Sequence, residues 1–122
     1  MQQRILIVED DFLIAAVVEA ALLEGGFEIA GPVADADDVL ECARRTKPSL
    51  AIMDIRLRGK RDGVDAAIDL YRALGIRSLF ATANNDASTR ERASSANPAG
   101  WLSKPYEQST LLRAVRQALD AP

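Results

Sequence analysis

Residues 4–11 read Arg4-Ile-Leu-Ile-Val8-Glu9-Asp10-Asp11, a short apolar run that ends in three acids. Its length and its β-branched content favour a strand buried on both faces, as strands of a parallel sheet are when helices cover them. A second run of this kind, Leu50-Ala-Ile-Met53, is closed by Asp54. The sequence therefore predicts two buried strands that each deliver acids at the carboxyl end.

Outward from these two runs, strand and helix patterns alternate along the chain. Strands are predicted at 4–8, 27–33 with an interruption at Gly31-Pro32, 50–53, 77–82 and 100–102. Helices are predicted from Asp11 to Glu24, after a cap at Asp35, from Val64 to Gly75, from Asp86 to Asn97, and on the apolar face Leu111, Leu112, Val115, Ala118 and Leu119. The apolar positions at helical spacing include Val17 in the first helix and Tyr71 in the third, and both are expected to face inward. This alternation predicts an α/β fold with a doubly wound, five-stranded parallel sheet, right-handed crossovers and helices on both faces.

The composition narrows the class of protein. A chain of 122 residues with 48% hydrophobic and 27% charged residues suits one globular domain, expected over residues 1–122. One cysteine and no histidine exclude a disulfide framework and a Cys/His zinc site, so any metal is held by oxygen. The formal charge of −3 argues against a nucleic-acid surface. We expect neither a membrane span nor a signal peptide, and hence a cytoplasmic location.

Polar residues converge at the carboxyl ends of four predicted strands. Glu9 and Asp10 follow the first strand, Asp54 the third, Thr82 ends the fourth, and Lys104 comes just after the fifth. Ligands of open parallel sheets collect at this edge. Each residue alone has an ordinary alternative, such as a helix cap for Asp10, but together they predict one site.

Crowded carboxylates repel one another unless a cation lies among them, and Mg²⁺ prefers oxygen ligands. Such a site could activate Asp54 as a nucleophile towards a phosphoryl group, because carboxylates form acyl-phosphate intermediates. The charge that develops then needs a cation and a hydroxyl donor, which Lys104 and Thr82 can supply.

The ordered motifs resemble the receiver domains of two-component response regulators over essentially the whole chain. They are Ile5-Leu-Ile-Val-Glu9-Asp10-Asp11, Met53-Asp54-Ile-Arg-Leu57, Ala81-Thr82-Ala83 and Trp101-Leu-Ser-Lys104-Pro105-Tyr106. The resemblance implies the flavodoxin-like strand order 2-1-3-4-5 and a cis peptide bond before Pro105. It implies that Asp54 is the phosphoacceptor and that Thr82 and Lys104 contact the phosphoryl group. It also implies a Mg²⁺ site formed by Glu9, Asp10, Asp54 and the backbone carbonyl of Arg56.

The same resemblance implies the partners, which are a histidine kinase or histidine phosphotransfer protein and a downstream protein target. Phe80-Ala81-Thr82 is similar to the signature of a receiver subgroup that often occurs as stand-alone domains. Whether this chain stands alone or belongs to a longer protein stays open at this point. The expected role is signalling by protein contacts and not enzymatic turnover. Two rivals are a Mg²⁺-dependent phosphohydrolase and a receiver-like interaction module that is never phosphorylated.

Three departures from the common receiver pattern lead to further expectations. Trp101 stands where a Tyr or Phe is commoner, so a relay from Thr82 to this aromatic is kept as a hypothesis. The fourth helix, 86–97, has no large apolar residue and is expected to be mobile or short. Four basic residues follow Asp54 and could steer an acidic partner, namely Arg56, Arg58, Lys60 and Arg61. Two residues that flank the site, Arg56 and Asn84, are expected to tune the phosphoryl lifetime.

Overall fold

The structure, a computed structural model, describes residues 3–83 and 86–120. In this part of the chain strands and helices alternate as predicted. The strands are β1 (Arg4–Val8), β2 (Glu28–Val33), β3 (Leu50–Asp54), β4 (Ser78–Thr82) and β5 (Gly100–Ser103). The α-helices are α1 (Phe12–Glu24), α2 (Val39–Thr46), α3 (Gly63–Leu74), α4 (Ala87–Ala93) and α5 (Gln108–Asp120), and 3-10 turns lie at Ala36–Asp38 and Ser94–Ala96.

The described strands form a five-stranded parallel sheet in the order β2-β1-β3-β4-β5, which is the flavodoxin-like order. This order makes β1 and β3 neighbours, and the register places Val8 beside Met53. The order of strands reverses between these two, so the acids that follow them meet at one edge of the sheet.

Helices cover the sheet on both faces and divide the core in two. Helices α1 and α5 pack on one face, over residues that include Ile5, Ile7 and Ile52. Helices α2, α3 and the 3-10 turn after α4 pack on the other face, over Leu6, Met53 and Phe80. Strands covered on both faces must be apolar along their whole length, which explains the continuous apolar runs of β1 and β3.

The interruption predicted at Gly31-Pro32 is a register shift inside a continuous strand. Pairing with β1 passes from Leu6–Ala30 to Val8–Val33, so one extra residue is accommodated there. Gly31 has a φ of 85°, and a Cβ at this position would lie 2.8 Å from the backbone oxygen of Ile7. Glycine is therefore required by both the conformation and the space.

Several predicted inward positions lie elsewhere. In α1, Val17 belongs to the apolar pattern but is 69% exposed, and Ala15 takes a place in the core. In α3, Leu70 is buried while Tyr71 is 36% exposed. In α5, Leu111 and Val115 are buried, whereas the other three predicted positions, Leu112, Ala118 and Leu119, are partly buried. The error has one cause: spacing gives the apolar side of a helix, but the neighbouring elements determine how wide the covered stripe is.

Helix α4 is shorter than predicted, since regular α-helix ends at Ala93 and a 3-10 turn follows to Ala96. The expectation of a short helix is confirmed, and its mobility stays a prediction.

Among the described residues, every helix is too short or too polar to span a bilayer.

Candidate functional site

A cleft of about 770 Å³ opens at the carboxyl edge of the sheet. The six residues predicted for the site all line it, namely Glu9, Asp10, Asp54, Arg56, Thr82 and Lys104. Carboxylate oxygens of Glu9, Asp10 and Asp54 lie within 4.8 Å of one another. The structure therefore brings together residues that are up to 95 positions apart in sequence.

The first acids are placed by the end of β1 and the start of α1. The amide of Glu9 donates to the carbonyl of Val33 at 2.9 Å, which extends the sheet by one residue and buries the side chain. Asp11 is the N-cap of α1, and its carboxylate accepts from the amides of Leu13 and Ile14. Asp10 lies between them, half-buried, with its carboxylate in the acidic cluster.

Lys104 lies between two of the acids. Its Nζ donates to Oε1 of Glu9 and to Oδ1 of Asp54, at 3.2 Å in each case. The side chains are mostly buried, with 22% of Lys104 and 12% of Asp54 exposed. The peptide bond from Lys104 to Pro105 is cis, as the family resemblance implied, and the Lys104 amide donates to the carbonyl of Thr82.

Burial and charge shift the titration of these groups. Burial, the largest cause, raises the pKa of Glu9, and Asp54 raises it further against the opposing amide of Asp11 and the ammonium of Lys104. Burial alone would lower the pKa of Lys104, but the carboxylates of Asp54 and Glu9 outweigh it and raise that pKa. The ammonium stays charged at neutral pH, yet it is one positive charge for three acids. A dication with oxygen ligands fits this donor set.

Thr82 and Arg56 both line the cleft. Thr82 ends β4, paired with Ser103, and is 6% exposed. Arg56 is exposed in the loop after β3. The roles assigned to both stay predictions. Asn84, predicted to flank the site, lies outside the described residues.

The basic loop divides into two parts. Arg56, Lys60 and Arg61 all line the cleft, and the first two are exposed there. Arg61 differs because it donates to Asp69 at 2.7 Å and to Asp37 at 3.4 Å. The Asp69 hydrogen bond is the main cause that raises the pKa of Arg61. Arg61 therefore ties the loop to its neighbours, and steering of a partner stays a prediction for the other cations.

One wall of the cleft was missing from the sequence interpretation. Asp62 and Arg92 line the cleft, and Arg92 on α4 pairs with Asp62 at the start of α3. Asp62 is also the N-cap of α3, where Asp62 and Asp65 form a capping box. Its ion pair had no sequence signal, since the partners are 30 residues apart and belong to different helices.

Comparisons with known proteins give the same family as the motifs. A family model described as the response regulator receiver domain matches residues 5–116. The transcriptional regulatory protein PdtaR of Mycobacterium tuberculosis is 35% identical over 117 residues, which are 96% of this chain and 57% of that protein. The phyllosphere-induced regulator PhyR of Methylorubrum extorquens is 34% identical over an alignment of 122 positions, which covers 98% of this chain and 44% of that protein.

A solved structure agrees with this match. The signal receiver domain of a modulated diguanylate cyclase from Desulfovibrio desulfuricans superposes with a TM-score of 0.90 at 34% identity, covering 98% of this chain and 94% of that one. The chain spans about half the length of the two curated relatives, 57% and 44%. What their remaining parts do is a property of those proteins.

Proposed function

The chain belongs to the response regulator receiver domain family of two-component signalling, and from that premise we propose that Asp54 is its phosphoacceptor. The observation that carries the proposal is that Asp54 belongs to the acidic cluster and accepts a hydrogen bond from Lys104. Receiver domains are signalling domains, so the product is a phosphorylated protein that contacts a target. We extend the proposal to residues 1–122 as one receiver unit with a cytoplasmic location and no nucleic-acid contact of its own.

The transfer is a displacement at phosphorus. A carboxylate oxygen of Asp54 forms a P–O bond while the P–N bond of a phosphohistidine breaks, and the electron pair returns to the imidazole nitrogen. Negative charge then lies on the phosphoryl oxygens. Lys104, held 3.2 Å from Asp54, supplies a cation, and Thr82 at the end of β4 supplies a hydroxyl donor.

We propose Mg²⁺ as the cofactor, held by the carboxylates of Glu9, Asp10 and Asp54 and by the backbone carbonyl of Arg56. The three carboxylates, two of which share the ammonium of Lys104, fit a hard dication. When bound, Mg²⁺ supplies charge neutralisation for the carboxylate and phosphoryl oxygens.

The donor partner that we propose is a phosphohistidine-bearing protein, either a histidine kinase or a phosphotransfer protein. An apolar groove of about 540 Å³ lies beside the cleft and shares Ile14, Ala83 and Lys104 with it. Helix α1 lines this groove with large apolar side chains, and 73% of Leu13 and 69% of Val17 are exposed. An apolar surface that continues into the reactive site suits a protein that must bring its histidine to Asp54.

The test of the phosphoacceptor is incubation with acetyl phosphate and Mg²⁺, followed by intact-mass measurement. The unaltered protein is expected to gain one phosphoryl group, and Asp54→Asn to gain none. Asp120→Asn, an exposed acid at the end of α5, is the matched control and is expected to retain the adduct. An adduct of equal yield on Asp54→Asn would contradict the proposal, and chelation of Mg²⁺ is expected to suppress the adduct.

The donor surface has its own test. Val17→Glu places a charge in the apolar surface and is expected to slow transfer from a phosphorylated histidine phosphotransfer protein. Phosphorylation of the same variant by acetyl phosphate is expected to be unchanged, because the small donor needs no docking. Equal loss with both donors would contradict a docking role. The phosphohydrolase alternative is not favoured, since the matched relatives are response regulators.

A further inference from the structure

Arg92 of α4 spans one side of the cleft and binds the beginning of α3. Its guanidinium donates to both carboxylate oxygens of Asp62, one of them at 3.2 Å, and lies 3.6 Å from Asp65. Burial opposes it, but the hydrogen bond from Arg92 is the main reason that the pKa of Asp62 is below its ordinary value. Arg92 is thus held by two acids while it lines the cleft that contains Asp54.

Asp62, the acid that binds Arg92, is followed by a residue that packs against the backbone of the phosphoacceptor. Gly63, the first residue of α3, packs so tightly on β3 that a Cβ there would lie 1.8 Å from the carbonyl oxygen of Asp54. Its amide donates to the carbonyl of Ile55 at 2.7 Å. Asp62 directly precedes Gly63, and the side chains of Asp54, Asp62 and Arg92 line the same cleft, so a charge added to Asp54 enters the cleft that holds the ion pair.

Loss of the ion pair leaves Asp62 with other partners. Its carboxylate also accepts from the amide of Asp65 at 3.1 Å as the N-cap of α3, and a third of its side chain is exposed. Water and the cap can therefore satisfy Asp62 without Arg92. A phosphoryl group offers three oxygens and nearly two negative charges. A guanidinium therefore binds it more strongly than it binds a partly exposed carboxylate.

Helix α4 is held by little apolar burial and by contacts of two arginines, Arg90 over Trp101 and Arg92 on Asp62. Within α4 the described residue that is buried is Ala93, and in the following turn it is Ala96. Both are small, so the helix gains little from burial, and the partner of Arg92 contributes a large share of its attachment. A change of partner would move the helix.

We infer that the phosphoryl group on Asp54 competes with Asp62 and Asp65 for Arg92, so that phosphorylation transfers this guanidinium to the phosphoryl oxygens. The inference rests on the proposed function, because it needs Asp54 to be phosphorylated. Arg92 is then a phosphoryl-binding group, and Asp62 competes with the phosphoryl group for it.

The test measures the affinity for beryllofluoride in the presence of Mg²⁺, read by fluorine NMR, which reports the bound ion directly. Arg92→Gln is expected to weaken binding about tenfold, the size of one charge-assisted hydrogen bond. Asp62→Asn keeps a capping oxygen but removes the competing charge, and it is expected to tighten binding several-fold. Arg113→Gln, an exposed arginine of α5, is the matched control and is expected to bind like the unaltered protein.

The result depends on the opposite changes in beryllofluoride affinity of the two variants. If the ion pair had only a structural role, both variants would bind beryllofluoride more weakly. The double variant Asp62→Asn/Arg92→Gln separates competition from a general change of charge: if Arg92 carries the gain, Asp62→Asn no longer tightens binding in the Arg92→Gln background. Effects of the same sign, no effect, or a gain that survives without Arg92 would each overturn the inference. Failure of the unaltered protein to bind beryllofluoride would overturn the proposed function and this inference with it.

Discussion

Helix α4 follows Thr82 and helix α5 follows Lys104, two residues that line the cleft, but the helices are attached by different forces. Helix α5 runs for 13 residues and buries Leu111 and Val115 against the sheet. Helix α4 runs for seven residues and buries only alanine among its described positions. Its Arg90 lies over Trp101, and its Arg92 forms an ion pair with Asp62. Apolar burial does not respond to a new charge, whereas ion pairs do. The contrast assigns α5 to the scaffold and α4 to the part that can respond to Asp54.

The largest expected difference is in global stability. Leu111→Ala removes a fully buried side chain from α5 and is expected to lower the free energy of unfolding by about 2–5 kcal/mol. Gln117→Ala, exposed on the same helix, is expected to stay within about 0.5 kcal/mol of the unaltered protein. Urea unfolding measures both. A loss under about 1 kcal/mol for Leu111→Ala would break the contrast by showing that α5 is not held by burial.

The next largest expected difference between α4 and α5 is in the rate of local opening. Amides of α4 should exchange with solvent at least about tenfold faster than those in the middle of α5, because little buried surface opposes local opening. Hydrogen exchange measured by NMR gives both sets in one experiment. Equal protection in α4 and α5 would contradict the predicted mobility of α4.

The aromatic hypothesis gives a smaller effect. Trp101 stacks on Phe80 with ring centroids 4.8 Å apart, and the guanidinium of Arg90 lies 4.6 Å from the ring centroid. Arg90→Ala is expected to lower stability by about 0.5–1 kcal/mol and to change the emission of this single tryptophan. Arg44→Ala, exposed on α2, is the control.

The same emission tests the relay. A switch of Trp101 towards Thr82 would require it to leave the stack, so beryllofluoride with Mg²⁺ is expected to alter the emission if the relay operates. Unchanged emission on saturation would end the relay hypothesis and leave Trp101 as a packing residue.

The smallest effect concerns pH. Because the pKa of Asp62 is lowered in the folded protein, its charge stabilises the fold above the ordinary Asp pKa of about 3.9, and this contribution disappears as the pH falls through the lowered value. The stability gap between the unaltered protein and Asp62→Asn is expected to be about 0.5–1 kcal/mol at pH 6 and to shrink below about pH 4. Urea unfolding from pH 6 to pH 3 measures it. A gap that stayed constant would show that the charge of Asp62 does not contribute.

The family and the edge of the sheet that carries the site could be predicted from the sequence because their signals are local. A buried parallel strand must be apolar throughout, so Asp54 at the end of such a strand is conspicuous without any structure. The groups predicted around it, among them Thr82 and Lys104, follow from the rule that strand ends share one edge. Val17 and Tyr71 were placed wrongly because helical spacing does not reveal how far a neighbour covers a helix.

Sequence alone determined the alternation of strands and helices, the acids at the strand ends and the weakness of the fourth helix, since each depends on residues close together in the chain. Tertiary structure alone determined that Lys104 lies between Glu9 and Asp54, that Arg92 binds Asp62, and that Arg90 covers Trp101. These contacts join residues on separate elements. Their partners depend on how the helices cross the sheet, and that geometry is set by the packing of the whole core.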